Sequence, residues 1–233
     1  MKASELILNE LNKFQENQMI FASSLYKEKF DELLTEAAYY KSIERLCLEK
    51  KLIKIAKGTY HLPKRSKYGI VPPSSQDIIA PFINNDNGVE VGYSLYNKYN
   101  LSTQISKKII LFSSYLSGDT KQIENVLIHK LDVDYNDNMK CMIQMLDVLQ
   151  NFYSIQDLNY NSFVLYFKEN VEKYDDDIFD ILQTKIKYKK STISFFKSIL
   201  DYFNKNNNLS KYLSNLSKYK HPKMEEIYEI TRK

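Results

Sequence analysis

Hydrophobic positions recur at intervals of three and four along most of the chain, which is the spacing of amphipathic helices. From Asn138 onward this pattern continues to the end, with a break predicted at Asn206-Asn207-Asn208. The chain should therefore be mainly helical. The helical segments predicted in this way span 4–14, 22–33, 35–50, 74–83, 92–99, 159–173, 176–187, 191–204 and 209–218.

The third helix has the clearest start, because Thr35 is a good N-cap residue. Its exposed side should include Lys41, Ser42 and Arg45. The apolar face predicted for this helix consists of Ala37, Tyr40, Ile43 and Cys47, with Leu46 beside it.

A β-hairpin is predicted directly after this helix. Residues 52–56 and 59–62 read as short strands, and Gly58 in the Lys57-Gly58 turn supplies the positive φ that a tight hairpin needs. His61, in the second strand, is expected to be partly exposed or next to a phosphate. Three helices followed by a hairpin is the order of a winged helix-turn-helix.

The rest of the chain predicts two further parts. Residues 64–73, with basic residues and a double proline, read as a linker, and strands are predicted over 107–113 and 126–134. The predicted class is thus α+β, mainly helical. Its predicted parts are a winged helix-turn-helix over 1–65, a small α/β unit over 66–136 and a helical region over 137–233.

Composition excludes several enzyme classes. The five glycines include no G-x-G and no pair with P-loop spacing, which removes the dinucleotide fingerprint and the phosphate-cradling loops. Three histidines and two cysteines lie too far apart for a zinc motif, so we predict neither a metal nor a cofactor. The two cysteines are expected to be reduced thiols in the cytoplasm. The longest apolar run has five residues, so no membrane span is predicted.

Positive charge is concentrated around the predicted hairpin. Residues 35–70 contain nine Lys or Arg and three Asp or Glu, a net charge of +6. Cations on one face replace the counterions of DNA phosphates, and an exposed helix can reach base edges. A solvated lysine-rich surface is the alternative. The DNA-binding residues we predict are Tyr39, Lys41, Ser42, Arg45, Lys54, Lys57, Lys64 and Arg65.

The same region resembles the AbiEi-type abortive-infection antitoxins of type IV toxin–antitoxin systems. The resemblance covers roughly residues 20–135, and Lys51 and Asn100 depart from it where the family often has glycine. The matching segments are Arg45-Leu46, Lys50 to Pro63 with its Lys-Gly turn, Tyr68 to Ser74, Gly92-Tyr93 with Asn97, Leu101 to Gln104, and the strand at 108–112.

This resemblance implies a function that composition does not give. Such antitoxins have an N-terminal winged helix that binds inverted repeats in duplex operator DNA upstream of their operon and represses it. A C-terminal domain, here within residues 66–233, counteracts a nucleotidyltransferase-like toxin encoded beside it, without requiring a stable complex. The expectation is a cytoplasmic DNA-binding repressor and antitoxin, not an enzyme.

An alternative reading makes the chain itself a metal-dependent nucleotidyltransferase. Ser117-Gly118 precedes Asp132 and Asp134, and alternate positions would place both carboxylates on one face of the strand predicted there. An alternating strand with an exposed acidic face explains the same residues. No third carboxylate is obvious.

Two charged stretches of the C-terminal region remain open. Asp175-Asp176-Asp177 is expected to start a helix, where negative charge suits the helix dipole. The stretch of Lys185, Lys187, Lys189 and Lys190 is either a solvated face or a second contact with DNA or an acidic partner.

Overall fold

The computed structural model describes residues 2–214 and 216–231. The fold is α+β and mainly helical, as the periodicity predicts. The α-helices are α1 (Ala3–Leu11), α2 (Ala22–Lys29), α3 (Glu36–Leu48), α4 (Ser75–Ile83), α5 (Tyr93–Lys98), α6 (Asp137–Gln150), α7 (Tyr160–Asn170), α8 (Asp176–Ile186), α9 (Lys190–Tyr202) and α10 (Met224–Thr231). The strands are β1 (Met19–Phe21), β2 (Ile53–Ala56), β3 (Thr59–His61), β4 (Lys64–Ser66), β5 (Gly69–Val71), β6 (Gly88–Val91), β7 (Ile109–Ser113), β8 (Thr120–Ile123) and β9 (Val126–Lys130).

The chain divides into two compact units. The first runs to Pro81 and adds Lys121–Val126, and the second contains Phe82–Thr120 and the residues from Leu127 onward. This division follows packing rather than the three consecutive segments that the sequence suggests.

The first unit places a small antiparallel sheet beside helices α1, α2 and α3. Strand β3 lies between β1 and β2, with Ile20 opposite Tyr60 and Ile53 opposite His61. Gly58 has φ +68 in the turn that joins β2 to β3, so the predicted hairpin is confirmed. Strand β1 has only three residues, and its pattern did not predict it. The core between sheet and helices includes Ile7, Leu11, Leu25, Ile43, Leu46 and Leu52.

Helix α3 begins where the sequence predicts, because the Thr35 Oγ1 accepts a hydrogen bond from the Ala38 N–H at 3.4 Å. Its buried face, however, is shifted. Tyr39, Ile43 and Leu46 are buried at spacings of four and three, whereas Ala37 is exposed. The predicted face of Ala37, Tyr40, Ile43 and Cys47 is therefore wrong at its first position, and Tyr40 and Cys47 line only its edge.

The predicted linker over 64–73 is wrong for most of its length. Lys64–Ser66 pairs with Gly69–Val71 in a separate two-stranded antiparallel hairpin. Ser74 then caps α4 as predicted, because its Oγ accepts from the Asp77 N–H at 3.2 Å while the Asp77 carboxylate accepts from the Ser74 N–H at 2.8 Å.

The second unit packs helices α5 to α10 with a sheet in which β6, β7 and β9 lie side by side in that order. Its core is strongly aromatic, and Phe163, Phe167 and Phe196 are fully buried within it. Helix α8 starts at the predicted aspartates, where Asp175 Oδ1 accepts from the Ile178 N–H at 3.0 Å.

Two predictions for the C-terminal region need correction. Among the described residues of the helix predicted over 209–218, only Leu209–Tyr212 is helical, as a short 3₁₀ turn, and α10 lies beyond the last predicted helix. The predicted break at Asn206-Asn207-Asn208 is confirmed, because α9 ends at Tyr202. Within residues 2–214 and 216–231, no helix is long and apolar enough to cross a membrane.

Candidate nucleic-acid interface

The exposed face of α3 presents two cations. Lys41 and Arg45 are both exposed, and a spacing of four residues places them one turn apart on the same side of the helix. Ser42 is half-buried, and its hydroxyl donates to the Ala38 carbonyl at 2.8 Å. The Ser42 hydroxyl is therefore already used within the helix, so Lys41 and Arg45 are the stronger candidates for contact with a partner.

Tyr39, in contrast, lies inside the first unit. Its ring is fully buried, with its centroid 5.1 Å from that of Tyr26 and 5.5 Å from that of Phe30. Its hydroxyl donates to the Ala22 carbonyl at 3.0 Å, and burial raises the pKa of the phenol well above its usual value. The prediction that Tyr39 contacts DNA is therefore wrong, since the residue belongs to the buried face of α3.

The hairpin formed by β2 and β3 adds Lys54 and Lys57, both exposed. Lys54 lies close enough to Cys47 on α3 to influence its thiol electrostatically. Burial, the larger effect, still raises the pKa of the Cys47 thiol, so the thiol stays protonated at neutral pH. The charge of Lys54 therefore belongs to the surface beside α3.

The chain turns at the end of α3, and a hydrogen bond connects this turn to the β4–β5 hairpin. Lys50 has φ +54, in the left-handed region, and its carbonyl accepts a hydrogen bond from Arg65 Nη2 at 3.4 Å. Lys64 and Arg65 are exposed on β4, and Lys67 is exposed in the turn that follows. The distance between the base of the β4–β5 hairpin and the end of α3 is therefore no more than the length of the Arg65 side chain.

We call the exposed cations of α3 and of the β2–β3 and β4–β5 hairpins the basic face. In the described part of the chain, none of them lies within 4.0 Å of a carboxylate oxygen, and the nearby ion pair joins Lys51 to Glu49 at 2.8 Å. The cations of the basic face are therefore not held in internal ion pairs with any described residue. Its members are Lys41, Arg45, Lys54, Lys57, Lys64, Arg65 and Lys67.

His61 does not belong to the basic face. It is only 1% exposed in the centre strand β3, and its Nδ1 lies 2.9 Å from the Leu62 carbonyl oxygen. Burial lowers the pKa of the imidazole, although Glu124 and Asp77 act in the opposite direction. The expectation of a partly exposed histidine is wrong, because His61 is buried in the centre strand of the three-stranded sheet.

The two aspartates of the alternative reading do not lie on a strand. Strand β9 ends at Lys130, and Asp132 and Asp134 follow it in irregular, exposed chain. Asp132 pairs with Lys130 at 3.4 Å. Among the residues that the structure describes, no group of three or more His, Cys, Asp or Glu is arranged to hold a metal ion. The prediction that Asp132 and Asp134 lie on one face of a strand, on which the nucleotidyltransferase alternative depends, is therefore wrong.

The second unit contains a cavity of about 440 Å³ lined by residues of β6, α5 and α6. Several of its polar groups bond to one another: the Cys141 thiol donates to Asn170 Oδ1 at 3.1 Å, and Gln144 donates to the Glu90 carbonyl at 3.1 Å. Burial raises the pKa of Cys141 to about 11, which disfavours the thiolate that nucleophilic catalysis would require. The chemistry of this cavity therefore indicates a function less clearly than the basic face does.

Sequence reasoning missed the turn of the β4–β5 hairpin as a surface feature. Tyr68 is 88% exposed there, and Lys67 Nζ lies 4.9 Å from the centroid of its ring. Gly69, with φ +122, was the available signal, since glycine supplies such angles in turns.

Comparison with known proteins gives a family but no activity. The family model described as DUF6088, a family of unknown function, matches residues 7–141. The match includes the basic face and extends into α6. No curated protein matches the chain.

Proposed function

The chain belongs to the DUF6088 family, and we propose that it is a DNA-binding transcriptional repressor whose first unit holds operator DNA. The observation that carries this proposal is the basic face, a set of cations without carboxylate partners spread over α3 and two hairpins. Protein cations in such an arrangement displace the counterions of DNA phosphates, which supplies most of the affinity for duplex DNA.

The order of elements supports a winged helix-turn-helix. Helices α1, α2 and α3 are followed by the β2–β3 hairpin, and β1 completes the sheet. In this arrangement α3 is the recognition helix, and its exposed side chains enter the major groove. Arg45 would then read base edges, Lys41 would approach them, and Lys54 and Lys57 would hold phosphates from the wing.

Charge reversal on the basic face tests this proposal. We expect the triple variant Lys41→Glu, Arg45→Glu, Lys57→Glu to bind the duplex upstream of its own coding sequence at least about 100-fold more weakly, because three attractive charges become repulsive. The measurement is a gel shift at fixed salt concentration, with the melting temperature as a check on folding.

A matched control comes from the second unit. Lys107, Lys108 and Lys168 are also exposed and have no carboxylate partner among the described residues. Reversing these three changes the net charge by the same amount, and we expect less than about threefold weaker binding. Equal losses in the two triple variants would contradict a localised interface, and unchanged binding by the first would contradict the proposal.

We also propose that the chain acts as an antitoxin, which the resemblance to AbiEi-type proteins supports. Residues 66–233 would counteract a nucleotidyltransferase-like toxin, and the free thiols of Cys47 and Cys141 are in keeping with a cytoplasmic setting. The test expresses the neighbouring gene product with and without the full chain. Relief of growth arrest is expected, and arrest that the chain does not change would contradict the antitoxin role.

A further inference from the structure

The β4–β5 hairpin is a compact ribbon whose residues face solvent. Lys64 pairs with Val71, Arg65 with Ile70 and Ser66 with Gly69, which leaves a two-residue turn at Lys67-Tyr68. Residues 64–70 are all exposed. A hairpin that buries so little of its own surface contributes little to the core, so its side chains are available to a partner.

The hairpin lies within the longest stretch of uniform charge sign around the basic face. Residues 50–76 contain seven Lys or Arg and no Asp or Glu, so their net charge is +7. Three of these cations, Lys64, Arg65 and Lys67, belong to the hairpin. Such a stretch attracts a polyanion and repels basic surfaces.

Local hydrogen bonds hold the turn in shape. The Ser66 hydroxyl accepts from the Tyr68 N–H at 3.2 Å and donates to the Gly69 carbonyl at 3.3 Å. At the base, Arg65 donates to the Lys50 carbonyl just beyond α3. The hairpin is therefore preorganised next to the proposed recognition helix, which reduces the entropy lost when a partner binds.

We propose that the β4–β5 hairpin is a second DNA-contacting arm, an inference that rests on the function proposed for α3. Lys64 and Lys67 neutralise phosphates beyond those held by α3 and the wing, and Tyr68 packs its exposed ring against the sugar–phosphate backbone. Arg65 holds the base of the arm. Duplex DNA is the partner because its phosphates continue past the groove that α3 enters, on the side where Arg65 joins the hairpin to the end of α3.

The salt dependence of binding tests the arm separately from α3. The probe is the duplex from upstream of the chain's own coding sequence, titrated by fluorescence anisotropy over a series of salt concentrations. The slope of log K against log salt is negative, and we expect the double variant Lys64→Gln, Lys67→Gln of the full chain to reduce its magnitude by about 2, one for each lost phosphate contact. Affinity should fall roughly tenfold near physiological salt.

Two further variants complete the design. Tyr68→Ala should weaken binding a few-fold and leave the salt slope unchanged, because the ring carries no charge. Lys107→Gln with Lys108→Gln, exposed lysines of the second unit, is the matched control and should keep the wild-type slope. Wild-type melting temperatures in all variants would exclude misfolding as the cause.

The outcomes separate the arm from the function on which it rests. Wild-type chain that binds the duplex, with a double variant of equal affinity and slope, would overturn the arm and leave α3 as the interface. Wild-type chain that does not bind the duplex at all would overturn both. A double variant that no longer binds single-stranded RNA of the same sequence, but still binds the duplex, would also overturn the arm. The hairpin would then serve a different partner.

Discussion

Both compact units contain lysines with and without a carboxylate partner, and the first unit gathers most of its unpaired cations on one helix and two hairpins. In the second unit, Lys130, Lys140, Lys197, Lys205 and Lys211 each pair with a carboxylate. In the first unit, the cations of the basic face have no such partner among the described residues. Net charge alone does not reveal this difference, because residues 1–65 and 154–233 both sum to +3. The proposed interface therefore depends on the arrangement of these cations rather than on the amount of charge.

The units also contain ionisable groups of opposite kind, a buried imidazole in the first and a half-buried carboxyl in the second. In the first, His61 is a base held in a dry strand. In the second, the Asp147 carboxylate accepts hydrogen bonds from the Gly92 N–H at 2.9 Å and the Tyr96 hydroxyl at 2.8 Å. The stability that each group contributes should therefore respond to pH with opposite sign.

The largest effect we expect is on the core of the first unit. Tyr39→Ala removes a fully buried ring and should lower the free energy of unfolding by about 3–5 kcal/mol. Tyr39→Phe keeps the ring and loses only the hydrogen bond to Ala22, so a loss of about 1 kcal/mol is expected. Urea unfolding followed by circular dichroism measures both. A loss below about 1 kcal/mol for Tyr39→Ala would show that α3 does not pack through this face.

Asp147 tests the pH response of the second unit. Burial raises the pKa of this carboxyl, although its hydrogen bonds oppose the shift. A raised acid pKa favours the protonated form in the folded state, so the contribution to stability is present below about pH 4 and is lost as pH rises through the folded-state pKa. The unfolding free energy of wild type minus that of Asp147→Asn should therefore fall with pH, by at most about 1.4 kcal/mol per pH unit. A difference independent of pH would contradict the burial of the charge.

His61 should give the reverse dependence in the first unit. Burial lowers the pKa of its imidazole, so the neutral form is favoured in the folded state. Its contribution to stability is then present above the unfolded-state pKa of about 6.5 and is lost as pH falls from there through the folded-state pKa. The wild-type value minus that of His61→Asn, which keeps a donor near the Leu62 carbonyl, should decrease towards acid. An increase towards acid would reverse the assignment.

The smallest effect should come from the other basic stretch. Lys185 lies in the last turn of α8, where positive charge suits the helix dipole, and Lys187 ends that helix with φ +59. We expect Lys185→Glu, Lys187→Glu, Lys190→Glu to change affinity for the upstream duplex less than about twofold, because these lysines lie on a helix corner rather than on the basic face. A loss of affinity as large as that of the triple variant Lys41→Glu, Arg45→Glu, Lys57→Glu would remove the contrast between the two units.

Much of the fold was predictable because local chemistry marks it. Thr35 and Asp175 are N-caps whose side chains bond the first turn, and Gly58 supplies the positive φ of the wing turn. Strand β1, with three residues, is too short to show alternation. The β4–β5 hairpin also escaped prediction, since exposed strands carry no buried face to create a pattern.

The positions of the candidate site residues were predictable to a lesser degree. Lys41 and Arg45 were placed correctly on the exposed side of α3, because any apolar face leaves them outside. Tyr39 was misplaced since a tyrosine can be either exposed or buried, and its position depends on the Ala22 carbonyl, which is distant in sequence. The sequence pattern predicts a strand through Asp132 and Asp134, whereas β9 ends at Lys130. Where a strand stops depends on its neighbours in the sheet, which spacing does not encode.

The proposed repressor function depends most directly on sequence-specific binding of duplex DNA by the wild-type chain. The direct measurement compares the affinity for the duplex upstream of its own coding sequence with that for a scrambled duplex of equal length and composition, at physiological salt. A repressor should prefer the upstream duplex by at least about 1,000-fold. Equal affinity for the two duplexes, or binding to neither, would contradict the proposed repressor function.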